Sequence, residues 1–241
     1  MILSGVYGIE HIIYLIIVLI LGICSLILIK KKCKSEKSII LLVRISALVL
    51  LIIFIMSRIF ITYSDVCVNH RENYTWLNLI PNTWCSMSCL VLCIALLCGK
   101  KNNLVLHYVS YIAALGGLIT ILYPDFLETQ AFFDPRSITG LIYHTGMLWL
   151  VCVIFITNYF VPELKKWYIY PIGLMINLTF GLFEKEALNF VKAMQINEPL
   201  LKSLPHFTSW YSVGVLSIII ELIILVLIEY LRKKKNKKNA N

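Results

Sequence analysis

The sequence predicts an all-α polytopic membrane protein, a bundle of about seven transmembrane helices with the N-terminus outside and the C-terminus in the cytoplasm. Three observations predict it. Of 241 residues, 59% are hydrophobic and only 15% are charged, where a soluble domain carries about 25% charged residues. A water-soluble body of this size could not cover its surface with so little charge. Several apolar runs reach the ~20 residues that cross a hydrocarbon core about 30 Å thick. Lysine and arginine gather in short flanks beside those runs, as in "KKKCKSEK" (30–37) and "RKKKNKK" (232–238).

The expected spans follow in order. The first is "IEHIIYLIIVLILGICSLILI" (9–29), and the lysines after it, in place of a small-residue cleavage site, read as a retained helix rather than a signal peptide. The second is "IILLVRISALVLLIIFIMSRIFIT" (39–62). The third runs from about Leu79 to Cys98, and the fourth is "LVLHYVSYIAALGGLITIL" (104–122). The fifth runs from about Ser137 to Val161. The sixth, from about Trp167 to Phe183, is short and holds Pro171, Gly173 and Gly181. The seventh runs from about Thr208 to Leu231. Between the last two, "EKEALNFVKAM" (184–194) reads as a helical segment on the membrane surface.

Charge placement fixes the expected topology. The connections after spans one, three, five and seven hold 15 lysines and arginines, and those after two, four and six hold 5. The positive-inside rule puts the richer set in the cytoplasm. The formal net charge of +9 therefore serves orientation and anionic headgroups, and nucleic-acid binding is excluded. Residues 1–231 form one seven-helix domain and 232–241 a basic cytoplasmic tail, with no internal repeat.

Eight cysteines punctuate the chain, four of them in "WCSMSCLVLCIALLC" (84–98). Cys85, Cys89 and Cys93 recur every four residues, so they share one stripe of a helix. A disulfide between i and i+4 is geometrically poor, and no CxxC occurs. Structural zinc needs convergent ligands, which one helix stripe does not supply. For Cys89, Cys93 and Cys98 the reading is packing, since a buried free cysteine behaves as a small hydrophobe.

Cys85 differs by its depth. It lies about six residues into the expected third span, roughly 9 Å below the outer boundary at 1.5 Å per residue. His144 lies about seven residues into the fifth, at a similar depth of roughly 10 Å. A thiol and an imidazole on two inward-running helices are what a nucleophile and its base require. The same two groups could equally be a packed cysteine and a hydrogen-bonded histidine. Arg58, about one turn from the outer end of span two, either faces the bundle or snorkels to headgroups. Asp125 in "LYPDF" either caps a loop or borders the site. Trp210 and Tyr211 open span seven, as site or as interfacial belt. Glu221, near the middle of span seven, either pairs with Arg44 or carries a proton.

"LIPNTWCS" (79–86), "AALGGLITILYPDF" (113–126), "GLIYHTGML" (140–148) and "LKSLPHFTSWY" (201–211) occur in this order. The set resembles the YwaF-like family of integral membrane proteins, whose distant eukaryotic relatives include transmembrane protein 164, an acyltransferase acting on ether phospholipids. The resemblance covers residues 77–215 and implies a seven-helix bundle with an intramembrane cysteine nucleophile and histidine base, matching Cys85 and His144. The chain departs from the bacterial pattern at Thr83, where a histidine stands two residues before the cysteine, and in its thinned "FTSWY".

These readings converge on a lipid-modifying protein of the cell membrane with its site near the outer leaflet. Cys85 and His144 would be catalytic. Arg58 would attract a phosphate, and Thr83 and Ser86 are candidate oxyanion donors. Asp125 would orient His144 or close a pocket bordered by Trp210 and Tyr211. The expected partners are membrane phospholipids, and no cofactor is called for. The rival class is a non-catalytic secondary transporter or solute-binding bundle around Arg58, Asp125, His144 and Glu221. A haem or metal role through His107 and His144 is disfavoured, because they lie near opposite faces of the membrane.

Overall fold

A computed structural model describes residues 5–72, 74–190, 193–196, 199, 206 and 209–240, with the side chains of 195 and 235–240 outside the description. Among them are seven α-helices and no strand: α1 (Ile9–Lys32), α2 (Glu36–Tyr63), α3 (Trp84–Cys98), α4 (Leu106–Leu122), α5 (Pro135–Ile156), α6 (Ile169–Leu188) and α7 (Trp210–Ala240). Five of these, α1, α2, α4, α5 and α7, are long and apolar enough to cross a membrane. Helix α6 has the length, but Glu184, Lys185 and Glu186 crowd its last turns.

Helix α3 has only 15 residues, about 22 Å of rise, short of the ~30 Å hydrocarbon core. The sequence expectation began this span at Leu79, and the structure corrects it. Residues Trp76–Leu79 form a 3-10 turn, capped by Thr75 and Asn78. Pro81 follows, and α3 starts only after Thr83, whose side chain accepts from the Ser86 amide. Cys85 is thus the second residue of its helix, not six residues in.

Helix α5 likewise ends at Ile156 rather than near Val161, where Thr157 Oγ1 turns back to the Val153 carbonyl at 2.7 Å and Asn158 takes a left-handed φ of 52°. Helix α6 overruns its expected end at Phe183. Residues 184–188 continue it instead of opening a separate surface helix, and Asn189 closes it in the left-handed region at φ 53°. Ala193–Gln195 forms a 3-10 turn, and Val191 and Lys192 of the expected segment lie outside the described residues. So do 201–205, 207 and 208. Helix α7 continues without a break through the basic stretch to Ala240.

Helices α2 to α5 make an up-down-up-down ring in which each packs on the next and α5 closes back on α2. The register is fixed by contacts at both ends. Asn103 before α4 donates to the Ala95 carbonyl late in α3 at 3.2 Å, whereas Gly116 late in α4 lies against Cys85 at the start of α3. Helices α3 and α4 are therefore antiparallel, and α4 and α5 likewise, since Gly117 meets His144 and Gly140 meets Phe126. It follows that α3 and α5 run parallel. Their facing side chains, with Val43, Ala47 and Leu50 of α2, fill a dry interior of small and branched residues. Bilayer helices have no hydrophobic drive toward one another, so such close fit is what joins them.

Helix α1 lies outside this ring against α5, tied by Tyr14 to Thr145 at 2.6 Å and by Trp149 to Ser25 at 2.8 Å. Its buried His11 reaches the Ile121 carbonyl with Nε2 at 2.9 Å. Helix α6 packs on α4, and α7 on α6.

Candidate functional site

The end of the ring where α3 and α5 begin gathers most of the polar residues singled out from sequence. Its foundation is the short α3. Because the chain leaves its 3-10 turn at Leu79 and α3 starts only at Trp84, the carbonyls of residues 78–80 have no α-helical ladder to join and need other partners. Arg58, 8% exposed on α2, supplies them: Nη2 donates to Asn78 O and to Ile80 O (2.9 Å), and Nε to Leu79 O at 3.5 Å. Its guanidinium does not snorkel outward, because its donors are turned onto backbone. Glu184, fully buried on α6, lies within charge range of Arg58, and neither of its oxygens has a partner among the described residues.

Thr83 and Ser86 form a reciprocal capping box, and their hydroxyls bond each other at 2.8 Å. Both hydroxyl oxygens accept from the orphan amides of a helix start, and their O–H donors are turned on each other and on the Thr83 carbonyl rather than toward Cys85. Asn82, just before α3, and Trp84, its first residue, also anchor neighbouring segments. Trp84 Nε1 donates to Met194 O at 2.6 Å, Met194 N donates to Asn82 O at 2.9 Å, and the Trp84 ring meets Trp210 edge-on at 6.0 Å. Tyr211 points out of the bundle, 73% exposed. Trp210 therefore borders the site and Tyr211 does not.

Cys85 is half-buried, with Thr120 Oγ1 of α4 at 4.0 Å from Sγ. The doublet Gly116–Gly117 makes room for it. A Cβ at Gly116 would stand 2.7 Å from Cys85 Sγ, and one at Gly117 would stand 2.9 Å from the His144 carbonyl oxygen. Neighbouring residues of one α4 turn thus receive α3 at the thiol and α5 at the histidine. Across the ring, Ser88 Oγ lies 3.8 Å from Met147 Sδ. Each is three residues beyond Cys85 or His144 on parallel helices, so those two positions stand at a similar level of the ring, while the nearest described polar partner of the thiol is Thr120 and that of the imidazole is the Gly140 carbonyl.

His144 is 5% exposed. Its Nδ1 lies 2.8 Å from the Gly140 carbonyl. A carbonyl only accepts, so Nδ1 carries the proton and Nε2 of the neutral ring keeps its lone pair. The orienting group is this backbone oxygen, not Asp125, which is exposed at the start of a 3-10 turn (Asp125–Glu128). Tyr143 stacks on the His144 ring at 4.0 Å between centroids and packs edge-on against Phe54 at 5.7 Å.

Cys89 and Cys93 are buried among apolar side chains, as packing requires. All eight cysteines are free, and no metal-ligand cluster occurs among the described residues. Glu221 does not meet Arg44, which is exposed, and is itself buried on α7. The sequence reading overlooked Thr120, Tyr143 and the Gly140 carbonyl. The adjacent glycines in "AALGGLIT" were the one local signal of close helix approach.

A family model described as the TMEM164 family matches residues 6–230. The chain belongs to the TMEM164 family. The matched range of this TMEM164-family chain takes in α1 to α6 and most of α7, and so includes Cys85 and His144. No curated protein and no solved structure gives a match to it.

Proposed function

We propose that the protein is a phospholipid acyltransferase or transacylase of the cell membrane, working through Cys85 and His144 near the outer leaflet. The observation that supports this most is the similar level of Cys85 and His144 on parallel helices, with the His144 tautomer that leaves Nε2 free as a base. In the first step Nε2 takes the Sγ proton as sulfur attacks the acyl-ester carbon of a phospholipid. The ester C–O bond breaks, the proton passes to the leaving lysophospholipid oxygen, and a thioester remains. In the second, a lysophospholipid hydroxyl attacks the thioester while Nε2 takes its proton, and the thiol is restored. Water in place of the hydroxyl makes the reaction a hydrolysis. Rotation of the thiol from Thr120 toward the imidazole opens the sequence.

Arg58 places a positive charge beside this layer that draws the lipid phosphate, while its hydrogen bonds hold the 78–80 backbone. Thr120 Oγ1, at 4.0 Å from the sulfur, is a better oxyanion donor than the capping pair Thr83 and Ser86. The reading is tested with an activated acyl-lipid probe on the reconstituted protein. Label on wild type and Cys89→Ala but not on Cys85→Ala is expected, and equal labelling of both variants defeats it.

A second reading, secondary transport, is favoured by the buried, unpartnered carboxyls of Glu184 and Glu221. Solute uptake into proteoliposomes that survives Cys85→Ala would favour it over acyl transfer.

A further inference from the structure

The turn at Ala193–Gln195 is built against its own backbone preference. Ala193 has a φ of 33°, and Met194 a φ of 54° and a ψ of 28°. Two successive residues with a Cβ in the left-handed region are costly, and they persist only where their surroundings impose that conformation. Both are fully buried, and the contacts that impose it come from two sides.

On one side is the start of α3. Asn82 O accepts from the Met194 amide at 2.9 Å, and Trp84 Nε1 donates to Met194 O at 2.6 Å. Both backbone polar groups of Met194 are thus spent on residues 82 and 84. On the other side is α6, where Gly181 leaves no space. A Cβ there would stand 2.6 Å from Ile196 Cδ1, 2.8 Å from Met194 Cβ and 3.0 Å from Ala193 O. Ile196 N closes the turn on Ala193 O at 3.2 Å. The turn is therefore wedged between α6 and the entrance of α3, and Trp84, which it grips, also meets Trp210 of α7 at 6.0 Å.

Cys85 directly follows Trp84. Its thiol is seated on α4, 4.0 Å from Thr120 Oγ1 and against Gly116. Hydrogen bonds and packing hold the turn in place, while its backbone strain pushes the other way. We propose that Ala193–Ile196 is a strained clasp on the entrance of α3. Closed, it fixes Trp84 and keeps the neighbouring thiol on its seat. Released, it relaxes its own backbone and frees the first turn of α3, so that the thiol leaves Gly116 and Thr120. The clasp is a property of the fold, and it stands whether or not Cys85 is a nucleophile.

Labelling of the full chain by N-ethylmaleimide in phosphatidylcholine vesicles tests the proposal, with adducts at Cys85 and Cys89 counted separately by peptide mass spectrometry. Cys89, fully buried one turn further along α3, reports any opening of the whole bundle. Ala193→Gly removes strain without removing a hydrogen bond, so labelling of Cys85 should slow by roughly fivefold or more. Trp84→Phe lacks the indole donor, and Gly181→Ala pushes on Met194 and Ala193. Each should speed labelling of Cys85 several-fold and leave Cys89 at its wild-type rate. An unchanged or faster rate at Cys85 in Ala193→Gly would overturn the proposal. So would no acceleration in the other two variants, or an acceleration that Cys89 shares in step.

Discussion

Ser88 Oγ on α3 lies 3.8 Å from Met147 Sδ on α5. The two helices are parallel, so the residues one turn before this contact, Cys85 and His144, stand at the same level of the bundle. Three residues of rise, about 4.5 Å, separate them from the contact on either helix. That shared level is built into the ring of helices.

Substitution of the glycine doublet should separate two effects. Gly116→Ala puts a methyl 2.7 Å from Cys85 Sγ, and a single thiol can swing aside. The fold should persist while acyl-probe labelling of Cys85 falls by about 10²-fold, the cost of a misplacement near 1 Å. Gly117→Ala meets the His144 carbonyl at 2.9 Å and Leu148 Cβ at 3.2 Å, where backbone must move. Its expected cost is about 1–3 kcal/mol of overpacking, read as a lower thermal midpoint in detergent.

Arg58 should prove as important to structure as to lipid. Each hydrogen bond from a charged donor contributes about 1.5–3 kcal/mol, and Arg58→Ala leaves three carbonyls unanswered. Amide exchange should accelerate at residues 76–84 in Arg58→Ala and recover in part in Arg58→Lys. Unchanged exchange there would show that the 78–80 turn is held by something else.

The N-terminal cap of α3 predicts a local penalty. Thr83→Val removes the acceptor for the Ser86 amide, at about 1 kcal/mol. If the cap is its sole task, labelling of Cys85 should fall only in proportion to the unfolded fraction, as measured alongside by circular dichroism.

Much of the bundle was legible in the sequence, because hydropathy runs and charge flanks report directly on lipid exposure. The start of α3 was not. Leu79 and Ile80 are apolar and extend the run, yet they close a 3-10 turn outside α3, and their carbonyls are held by Arg58, some twenty residues away. No local pattern encodes that partner, although Pro81 and Thr83 do signal a late helix start. Glu184 was read as the start of a separate surface helix because charge ordinarily leaves the membrane; instead it is buried and α6 continues through it. For the site, the depth argument placed Cys85 and His144 at a similar level, but it rested on an assumed start of α3 that was wrong: Cys85 is the second residue of its helix. The partner of His144 Nδ1, a backbone oxygen four residues back, leaves no trace in composition.

Acid titration should expose the Asp134 cap of α5. Hydrogen bonds from the Arg136 side chain hold the Asp134 carboxyl below its ordinary range. A lowered native value means stability that is complete above the unfolded carboxylate value, about 3.9, and lost as pH falls through the native one. The difference in thermal midpoint between wild type and Asp134→Asn should be constant above about pH 5 and shrink in more acid solution.

The most direct measurement is intact-mass analysis of the reconstituted protein after exposure to an activated acyl-phospholipid, across wild type, Cys85→Ala, His144→Ala and Cys89→Ala. One acyl adduct, mapped to Cys85, present in wild type and Cys89→Ala and lost or strongly slowed in the other two, is the predicted result. An adduct that persists in Cys85→Ala, or forms at the wild-type rate in His144→Ala, would contradict the account.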